Sequence, residues 1–309
     1  MARPCALPIA VAAVLSVAAC GPSAAPNPWE TGSGDVGGGS SGGTASGGGS
    51  GSSGSNGGGI GGSSGSSLPP STDAGSDAGA TLEGGAGPTG PGSPVFGGAS
   101  GGQGGAAPVN GSTVTAGGIT YHLIAPSSYA PGTPTPLLVV FSGTEGGAQM
   151  TSNLMNLGQT GISGFLCAVL DGVTYYGNGA AGATALDDVR AKYDVDDDRT
   201  YLLGESAGTT AALELGFHLR PLYFAAYWAN DVNASDTPAQ TAAQLGFAPW
   251  GQAGPGGDLP DAQAIVSAMQ AAGYRLPTPA PYTGQGSGTH GDLNQLVSAL
   301  SFFPGKSRK

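Results

Sequence analysis

The chain has 309 residues, of which 60 are glycine, and its formal net charge at pH 7 is −11. An acidic chain without a basic cluster is not suited to electrostatic binding of nucleic acid or of an anionic lipid surface. It has only three cysteines and no CxxC pair, so the sequence excludes a disulfide framework and a CxxC metal or redox motif.

Residues 1–19 have the pattern of a secretory signal peptide. Arg3 precedes an apolar stretch that is too short to span a bilayer as a stable helix, and small residues follow. The sequence Val-Ala-Ala-Cys at 17–20 resembles the lipobox of bacterial lipoproteins. This resemblance implies that Cys20 is lipidated and begins the mature chain, which would be extracytoplasmic and anchored to a bacterial membrane. The alternative is a plain secretory peptide in which Cys20 has no role.

Glycine and serine dominate the segment 20–108. Residues 31–108 alone hold just over half of the 60 glycines and contain no Lys or Arg. Such a segment cannot bury enough apolar surface to offset the entropy lost on ordering. We therefore expect a disordered tether over 20–108 and a single folded domain over 109–309.

Apolar runs and helical patterns alternate along the expected domain. The patterns predict an antiparallel strand pair and six further strands, over 113–115, 119–125, 137–141, 164–170, 199–204, 224–229, 245–250 and 276–282. Helices are predicted over 182–193, 207–219, 263–272 and 293–302. This alternation is typical of an α/β fold with a mostly parallel sheet covered by helices on both faces.

The sequence Gly-Glu-Ser-Ala-Gly at 204–208 matches the G-x-S-x-G pattern and lies between a predicted strand and a predicted helix. The two glycines permit a sharp turn that would expose the hydroxyl of Ser206 near the N-terminus of the helix. Ser206 is therefore the predicted nucleophile. The alternative is an ordinary strand–helix turn with glycines at its corners.

A serine nucleophile needs a general base, and the chain has only three histidines. His122 lies in an early predicted strand and His218 near the end of a predicted helix, whereas His290 lies in a late glycine-rich loop. We therefore predict His290 as the base. Asp258 is the predicted acid, because it lies just after the predicted strand 245–250 and fits the order Ser–acid–His along the chain. The alternative acids are Asp231 and Asp261.

An acyl-transfer reaction also needs donors for the negative charge of its tetrahedral intermediate. One predicted donor is the backbone N–H of Ala207, which follows the nucleophile. The second is the backbone N–H of Thr144, in the glycine-rich loop after the predicted strand 137–141. Glycine in this loop lets the backbone approach a substrate closely.

Together these features resemble the α/β-hydrolase superfamily, in particular secreted esterases related to poly(3-hydroxybutyrate) depolymerases and to feruloyl or acetylxylan esterases. The resemblance runs from about residue 115 to about residue 300. It rests on the segments 121–129, 136–141, 143–147, 193–196 and 204–208. It implies a three-layer α/β/α fold with a roughly eight-stranded sheet. It also implies hydrolysis of a small or polymeric carboxyl ester by Ser206, His290 and Asp258, without a metal or cofactor. We expect the protein to be a monomer.

Two positions depart from the pattern of this family. The family usually has His-Gly where this chain has Ser142-Gly143, and Glu145 brings a carboxyl group close to a loop that should bind an anion. These departures motivate a second hypothesis, a non-catalytic binding lipoprotein with a hydrolase fold. A peptidase or an acyl transferase that uses the same triad is a third.

Overall fold

The computed structural model describes residues 92–102, 105–158 and 164–309. The predicted signal peptide, Cys20 and most of the predicted tether lie outside these residues. Within the described ranges, no helix is both long enough and apolar enough to cross a membrane.

The strands are β1 (Ser112–Ala116), β2 (Ile119–Ile124), β3 (Thr135–Phe141), β4 (Leu166–Leu170), β5 (Val195–Glu205), β6 (Ala226–Asn230) and β7 (Trp250–Ala253). The α-helices are α1 (Gly147–Gly158), α2 (Gly179–Lys192), α3 (Thr209–Leu213), α4 (Ala242–Leu245), α5 (Leu259–Ala271) and α6 (Leu293–Phe302). A 3₁₀ turn, Ser206–Gly208, precedes α3, and a π-helical turn, Glu214–Leu219, follows it. The single helix predicted over 207–219 is thus divided into three helical types.

The seven strands form one sheet in the order β1-β2-β4-β3-β5-β6-β7. β2 pairs antiparallel with β1 and with β4, and every other neighbouring pair is parallel. The predicted α/β fold with a mostly parallel sheet is confirmed, with seven strands among the described residues where roughly eight were expected. Because β3, β5 and β6 run parallel, their carboxyl ends lie at the same edge of the sheet.

Helices cover both faces of the sheet. Along β3, Leu137, Val139 and Phe141 belong to the core that packs against α2, α3 and α5. The alternate residues Leu138 and Val140 belong to the core that includes α1 and α6. Since successive side chains of a strand point to opposite faces, an uninterrupted apolar run is the pattern of a strand buried on both sides. The result is a three-layer arrangement.

Two predicted strands differ from the structure. The strand expected over 245–250 begins only at Trp250, because a capping box starts the short helix α4 before it. The residues expected as a strand over 276–282 form none. Three prolines, at 277, 279 and 281, remove the backbone donors that a ladder needs there. Helix α1 was not predicted.

Residues 92–102 lie within the predicted tether, yet they contact the domain. The backbone N–H of Val95 donates to Asp197 Oδ2 at 2.8 Å. The hydroxyl of Ser100 donates to the carbonyl oxygen of Arg190 at 2.8 Å. The folded region therefore includes residues before the predicted domain boundary.

Candidate active site

The candidate site lies at the carboxyl edge of the sheet, where β3, β5 and β6 end beside one another. The loop 142–146 follows β3, and β5 leads directly into Ser206. Glu205, the last residue of β5, is in register with Asn230, the last residue of β6, and Asp231 comes next. The parallel register thus brings three separate segments together at a position where α/β folds commonly hold their functional groups.

Ser206 lies on a sharp turn with a positive φ of 48°. Such backbone costs a non-glycine residue about 1–3 kcal/mol and is retained where the surroundings hold it in place. The flanking glycines permit the close packing. A Cβ on Gly204 would lie 2.6 Å from the Cβ of Ala212, and one on Gly208 would lie 2.5 Å from the carbonyl oxygen of Phe141. The strand–turn–helix elbow expected from the sequence has this geometry.

Ser206 and His290 come together although a long stretch of sequence separates them. The distance from Ser206 Oγ to His290 Nε2 is 3.0 Å. Ser206 is 7% exposed, whereas His290 lies on the surface of its loop. At this distance an imidazole nitrogen can accept the serine proton. The other two histidines lie elsewhere, since His122 belongs to β2 and His218 pairs with Asp236.

The loop that carries His290 is held by Asp231 and Gln295. Asp231 Oδ2 accepts a hydrogen bond from the backbone N–H of Gly291, the residue after the histidine. Asp231 Oδ1 accepts from Gln295 Nε2 at 2.6 Å, and the same amide donates to the carbonyl oxygen of Thr289 at 3.0 Å. Both neighbours of His290 in the chain are therefore tied to one buried pair of side chains.

Asp231 is the carboxyl group whose charge interacts with His290. Its side chain is almost fully buried, and burial raises its pKa. The N–H of Gly291, the positive charge of His290 and the amide of Gln295 each act in the opposite direction. Within the described ranges no carboxylate forms an ion pair with His290, and Asp231 contacts the loop that carries it through the Gly291 N–H.

The structure places Asp258, the predicted acid, at the start of α5. Its exposed carboxylate accepts from the backbone N–H of Asp261 at 3.4 Å and caps the helix. The prediction assumed a strand that ended near Trp250, whereas β7 begins there and shifts the following loop. Asp261 itself lies in the first turn of α5. Of the three acids considered, Asp231 is the one that holds the His290 loop.

The two predicted backbone donors lie in segments that adjoin Ser206. Ala207 is the buried residue that follows it, in the 3₁₀ turn before α3. The Thr144 N–H donates to no acceptor among the residues that the structure describes. Ser142 holds this loop through two hydrogen bonds of its hydroxyl. Its hydroxyl donates to the carbonyl oxygen of the next residue at 3.3 Å and accepts from the Gly172 N–H at 3.1 Å.

Asp171 anchors the same loop from the end of β4. Its Oδ2 accepts from the backbone N–H of Gly147 at 3.1 Å, and its Oδ1 accepts from Val173 at 3.1 Å and from Thr174 at 2.8 Å. Burial opposes its ionisation, but these N–H groups outweigh burial and lower the pKa of Asp171. The loop after β3 is therefore held to the loop after β4 by an ionised carboxylate.

Two glutamates flank the nucleophile. Glu145 Oε1 accepts from the backbone N–H of Gly143 at 2.9 Å. Glu205 directly precedes Ser206, and its Oε2 is buried without a hydrogen-bond partner. Burial, with the charges of Glu145 and Asp231, raises the pKa of Glu205 to about 8. Burial also raises the pKa of Glu145.

Asp171 and Gln295 were not predicted from the sequence. Asp171 follows directly after the apolar run of β4, and this strand-end position is a signal that could have identified it. Gln295 lies in α6 among buried apolar residues such as Leu296 and Ala299. An amide on the apolar face of a helix needs buried partners, and that requirement is the signal for Gln295.

No protein-family model and no curated protein sequence matches the chain. Several solved structures have a similar backbone. A thermostable esterase has a TM-score of 0.46 and 14% identity over 62% of this chain, which spans 59% of the esterase chain. LpqC, a poly(3-hydroxybutyrate) depolymerase from Bordetella parapertussis, has a TM-score of 0.43 and 20% identity over 60% of this chain and 83% of its own.

A putative dienelactone hydrolase from Klebsiella pneumoniae is a third similar structure. Its TM-score is 0.41, with 14% identity over 62% of this chain and 96% of its own. At such low TM-scores and sequence identities the similarity concerns the path of the backbone alone. What this chain binds or cleaves has to follow from its own residues.

Proposed function

We propose that this chain is a serine hydrolase that cleaves carboxyl esters through a covalent acyl-enzyme. The observation that carries the proposal is the 3.0 Å distance between Ser206 Oγ and His290 Nε2, with Ser206 held at a φ of 48°. A hydroxyl is a weak nucleophile unless a positioned base removes its proton. A strained turn at the end of β5 presents this hydroxyl to such a base.

The reaction proceeds in two halves. In the first, Ser206 Oγ attacks the ester carbonyl carbon while its proton passes to His290 Nε2. The tetrahedral intermediate collapses, and His290 returns the proton to the leaving alkoxide, which departs as an alcohol. In the second half a water molecule gives a proton to His290 and attacks the acyl carbon. The carboxylic acid leaves, and the proton returns to Ser206.

The negative charge of each intermediate needs fixed donors. We assign this role to the backbone N–H groups of Ala207 and Thr144. The Thr144 N–H has no acceptor among the described residues, and the hydrogen bonds of Ser142 and Asp171 hold its loop. A donor fixed before the reaction needs no reorganisation as charge develops.

We assign to Asp231 the role of the acid, which the sequence predicted for Asp258. Its carboxylate lies in the field of His290 and accepts a hydrogen bond from the N–H of the following residue, Gly291. A negative charge there stabilises the imidazolium that forms when Ser206 loses its proton. We describe Asp231 as a positioning residue, because it also holds the histidine loop through the Gly291 N–H and no hydrogen bond joins it to the imidazole within the described residues.

The first experiment is treatment of the purified full-length chain with a fluorophosphonate probe, followed by intact-mass and peptide analysis. We expect one adduct per chain, on Ser206, and turnover of a short acyl ester. Ser206→Ala should lose both, whereas Ser128→Ala, which removes an exposed serine, should keep both. A folded chain that forms no adduct contradicts the proposal.

A negative result would favour the non-catalytic binding protein. The specific observation behind that alternative is the Glu145 carboxyl, which accepts from Gly143 in the loop that should bind an anion. If the chain is labelled but no ester is cleaved, peptide and acyl-acceptor substrates distinguish a peptidase from an acyl transferase.

We further propose that lipid on Cys20 anchors the protein to an extracytoplasmic membrane face. The support is the sequence pattern of residues 1–20, which lie outside the described residues. Metabolic labelling with a fatty-acid analogue should mark the wild-type chain, and Cys20→Ala should remove the label and release the protein from membranes. Unchanged labelling of the variant would contradict the anchor.

A further inference from the structure

The turn that follows β4, residues 172–177, lies against the segment that carries the nucleophile. At its start, a Cβ on Gly172 would lie 2.8 Å from the backbone N and from the Cα of Gly208. At its end, a Cβ on Gly177 would lie 3.9 Å from Thr210 Cγ2. Gly208 and Thr210 closely follow the nucleophile in the chain. Both ends of the turn are therefore held beside the helical segment that begins at the nucleophile.

Hydrogen bonds at Tyr175 hold the middle of this turn. Its backbone N–H donates to the Asp171 carbonyl oxygen at 3.0 Å, and its carbonyl oxygen accepts from the Asn178 N–H at 2.9 Å. Its hydroxyl accepts from the backbone N–H of Thr120 at 2.8 Å, and its ring packs against the core. The surface of the turn is therefore formed before a substrate arrives, so binding there does not cost the entropy of ordering a loop.

The turn exposes two large apolar side chains. Val173 is 54% exposed and Tyr176 is 60% exposed. They lie at the same edge of the sheet as Ser206, because β4 runs parallel to β3 and β3 runs parallel to β5. Each is next in the chain to one of the two glycines, so its Cα is about 3.8 Å from the Cα of that glycine. The segment 172–186 contains no Asp, Glu, Lys, Arg or His, so this surface suits an uncharged apolar group.

The order of the strands distinguishes the two halves of an ester. β5, which leads into Ser206, lies between β3 and β6, and β4 lies on the far side of β3. The loop with His290 is held on the β6 side, since Asp231 follows β6 and accepts from that loop. The leaving alcohol takes its proton from His290 and therefore lies on the β6 side. The acyl group lies on the other side, toward the turn after β4.

We propose that Val173 and Tyr176 form the acyl subsite of this enzyme, which selects neutral esters whose aliphatic acyl chain is longer than an acetyl group. The inference rests on the proposed ester hydrolysis and names the class of ester. The turn flanks the residues that follow Ser206, so an acyl chain on Ser206 Oγ has to extend beyond acetyl to reach it. Each acyl methylene that is buried there raises kcat/KM by up to about fourfold.

The test is kcat/KM of the full-length chain for the p-nitrophenyl esters of acetic, butanoic and hexanoic acids, which differ only in acyl length. For the wild type we expect kcat/KM to rise along this series. Tyr176→Ala should lower the ratio of hexanoate to acetate about tenfold, because the chain loses one wall of its subsite. Tyr176→Phe keeps the ring and should keep the ratio. Val173→Thr replaces one methyl group by a hydroxyl and should lower the ratio about fourfold.

Leu222→Ala is the matched control. Leu222 is 40% exposed and lies in the 3₁₀ turn Pro221–Tyr223, before the amino end of β6 and so at the opposite edge of the sheet. This variant should keep the wild-type ratio. Thermal unfolding of Tyr176→Ala should match that of the wild type, because the side chain is exposed, and this separates the loss of a subsite from a loss of folding. Ethyl and hexyl acetate lengthen the alcohol instead, and their ratio should not depend on Tyr176.

The inference is overturned if the wild type prefers the acetate, or if Tyr176→Ala keeps the wild-type ratio of hexanoate to acetate. It is also overturned if Leu222→Ala lowers this ratio equally, if Tyr176→Phe lowers it as much as Tyr176→Ala, or if Tyr176→Ala affects only the alcohol series. If neither fluorophosphonate labelling nor turnover of any ester occurs, the proposed hydrolysis has failed, and the acyl subsite with it. If labelling and turnover occur but the ratio does not respond to Tyr176, the hydrolase stands and only the subsite has failed.

Discussion

Asp231 and Gln295 are joined by a hydrogen bond of 2.6 Å that connects the end of β6 to the first turn of α6. The loop with His290 lies between these two elements in the chain. Gly291 donates to the aspartate, and the glutamine donates to the Thr289 carbonyl oxygen. The position of the imidazole beside Ser206 is therefore set by a buried pair of side chains, one directly after β6 and one in α6.

Asp231→Asn should lower kcat for ester hydrolysis by about 100-fold or more, because the imidazolium loses the negative charge that stabilises it. The measurement is kcat and KM with a short acyl ester, and the effect should fall on kcat. Asp258→Asn is the matched control. Asparagine is as good an N-cap as aspartate, so this variant should keep its stability and its activity. Equal losses in the two variants would contradict the assignment of the acid.

Gln295→Ala should both destabilise the fold and impair catalysis. The substitution leaves Asp231 Oδ1 and the Thr289 carbonyl oxygen without their donor, at a cost of about 1–3 kcal/mol of unfolding free energy. Urea denaturation measures the first effect, and kcat the second, since the His290 loop loses its support. Gln149→Ala removes an exposed glutamine side chain that donates to Asn153 Oδ1, and it should change neither quantity. A Gln295→Ala enzyme with wild-type kcat would show that the loop is held by other contacts.

Local signals made much of this architecture predictable. The apolar run of β3 identified a buried strand, and the glycines at 204 and 208 identified the turn that carries Ser206. Both features could be recognised because each depends on residues that are close together in the sequence. With only three histidines in the chain, His290 could be selected by elimination. The acid could not be selected in the same way, because its identity depends on where β7 begins and on the path of the loop before α5.

The N-terminal boundary of the folded region could also not be predicted from local sequence. The composition of residues 92–102 predicts disorder, but their partners are distant in sequence. Asp197 and Asp198 accept from the N–H groups of Val95 and Gly97. Local composition contains no information on acceptors a hundred residues away. The hydrogen bond between Asp231 and Gln295, which are 64 residues apart, could not be predicted for the same reason.

Ser100→Ala should test the contribution of this N-terminal segment. The hydroxyl donates to the carbonyl oxygens of Arg190 and Tyr193 and accepts from the N–H of Val195. We expect a loss of about 1–3 kcal/mol in unfolding free energy. Because Val195 begins β5 at the edge opposite the site, kcat should stay unchanged under folding conditions. Ser128→Ala is the control for a serine on the surface, and an equal stability of the two variants would contradict the role of Ser100.

Gly208→Ala should disrupt the elbow. The added methyl group would lie 2.5 Å from the Phe141 carbonyl oxygen, so β3 and the turn after Ser206 have to separate. Overpacking of this kind costs about 1–3 kcal/mol, and the shift of Ser206 should abolish fluorophosphonate labelling. Thermal unfolding and intact-mass analysis measure the two effects. At Gly164 a methyl group meets no atom within 4 Å, so Gly164→Ala should retain labelling.

Glu205 makes the stability of the fold depend on pH. Burial raises its pKa to about 8 from an ordinary value of 4.5, so the folded state binds this proton more tightly than the unfolded state. The stabilisation is complete below pH 4.5 and is lost as the pH rises toward and through 8. Glu205→Gln should therefore flatten the dependence of unfolding free energy on pH between these values, as measured by urea denaturation at a series of pH values.

The matched control for this titration is Glu214→Gln. Glu214 lies in the π-helical turn and accepts from the Gly179 N–H, so its removal alters a carboxylate of the same type away from Ser206. The control should retain the decline of stability between pH 4.5 and 8 that the wild type shows. If Glu205→Gln keeps the full decline as well, the titrating group is one of the neighbouring carboxyl groups, Glu145 or Asp231. Asp231 would then be the next to substitute, since burial raises its pKa too.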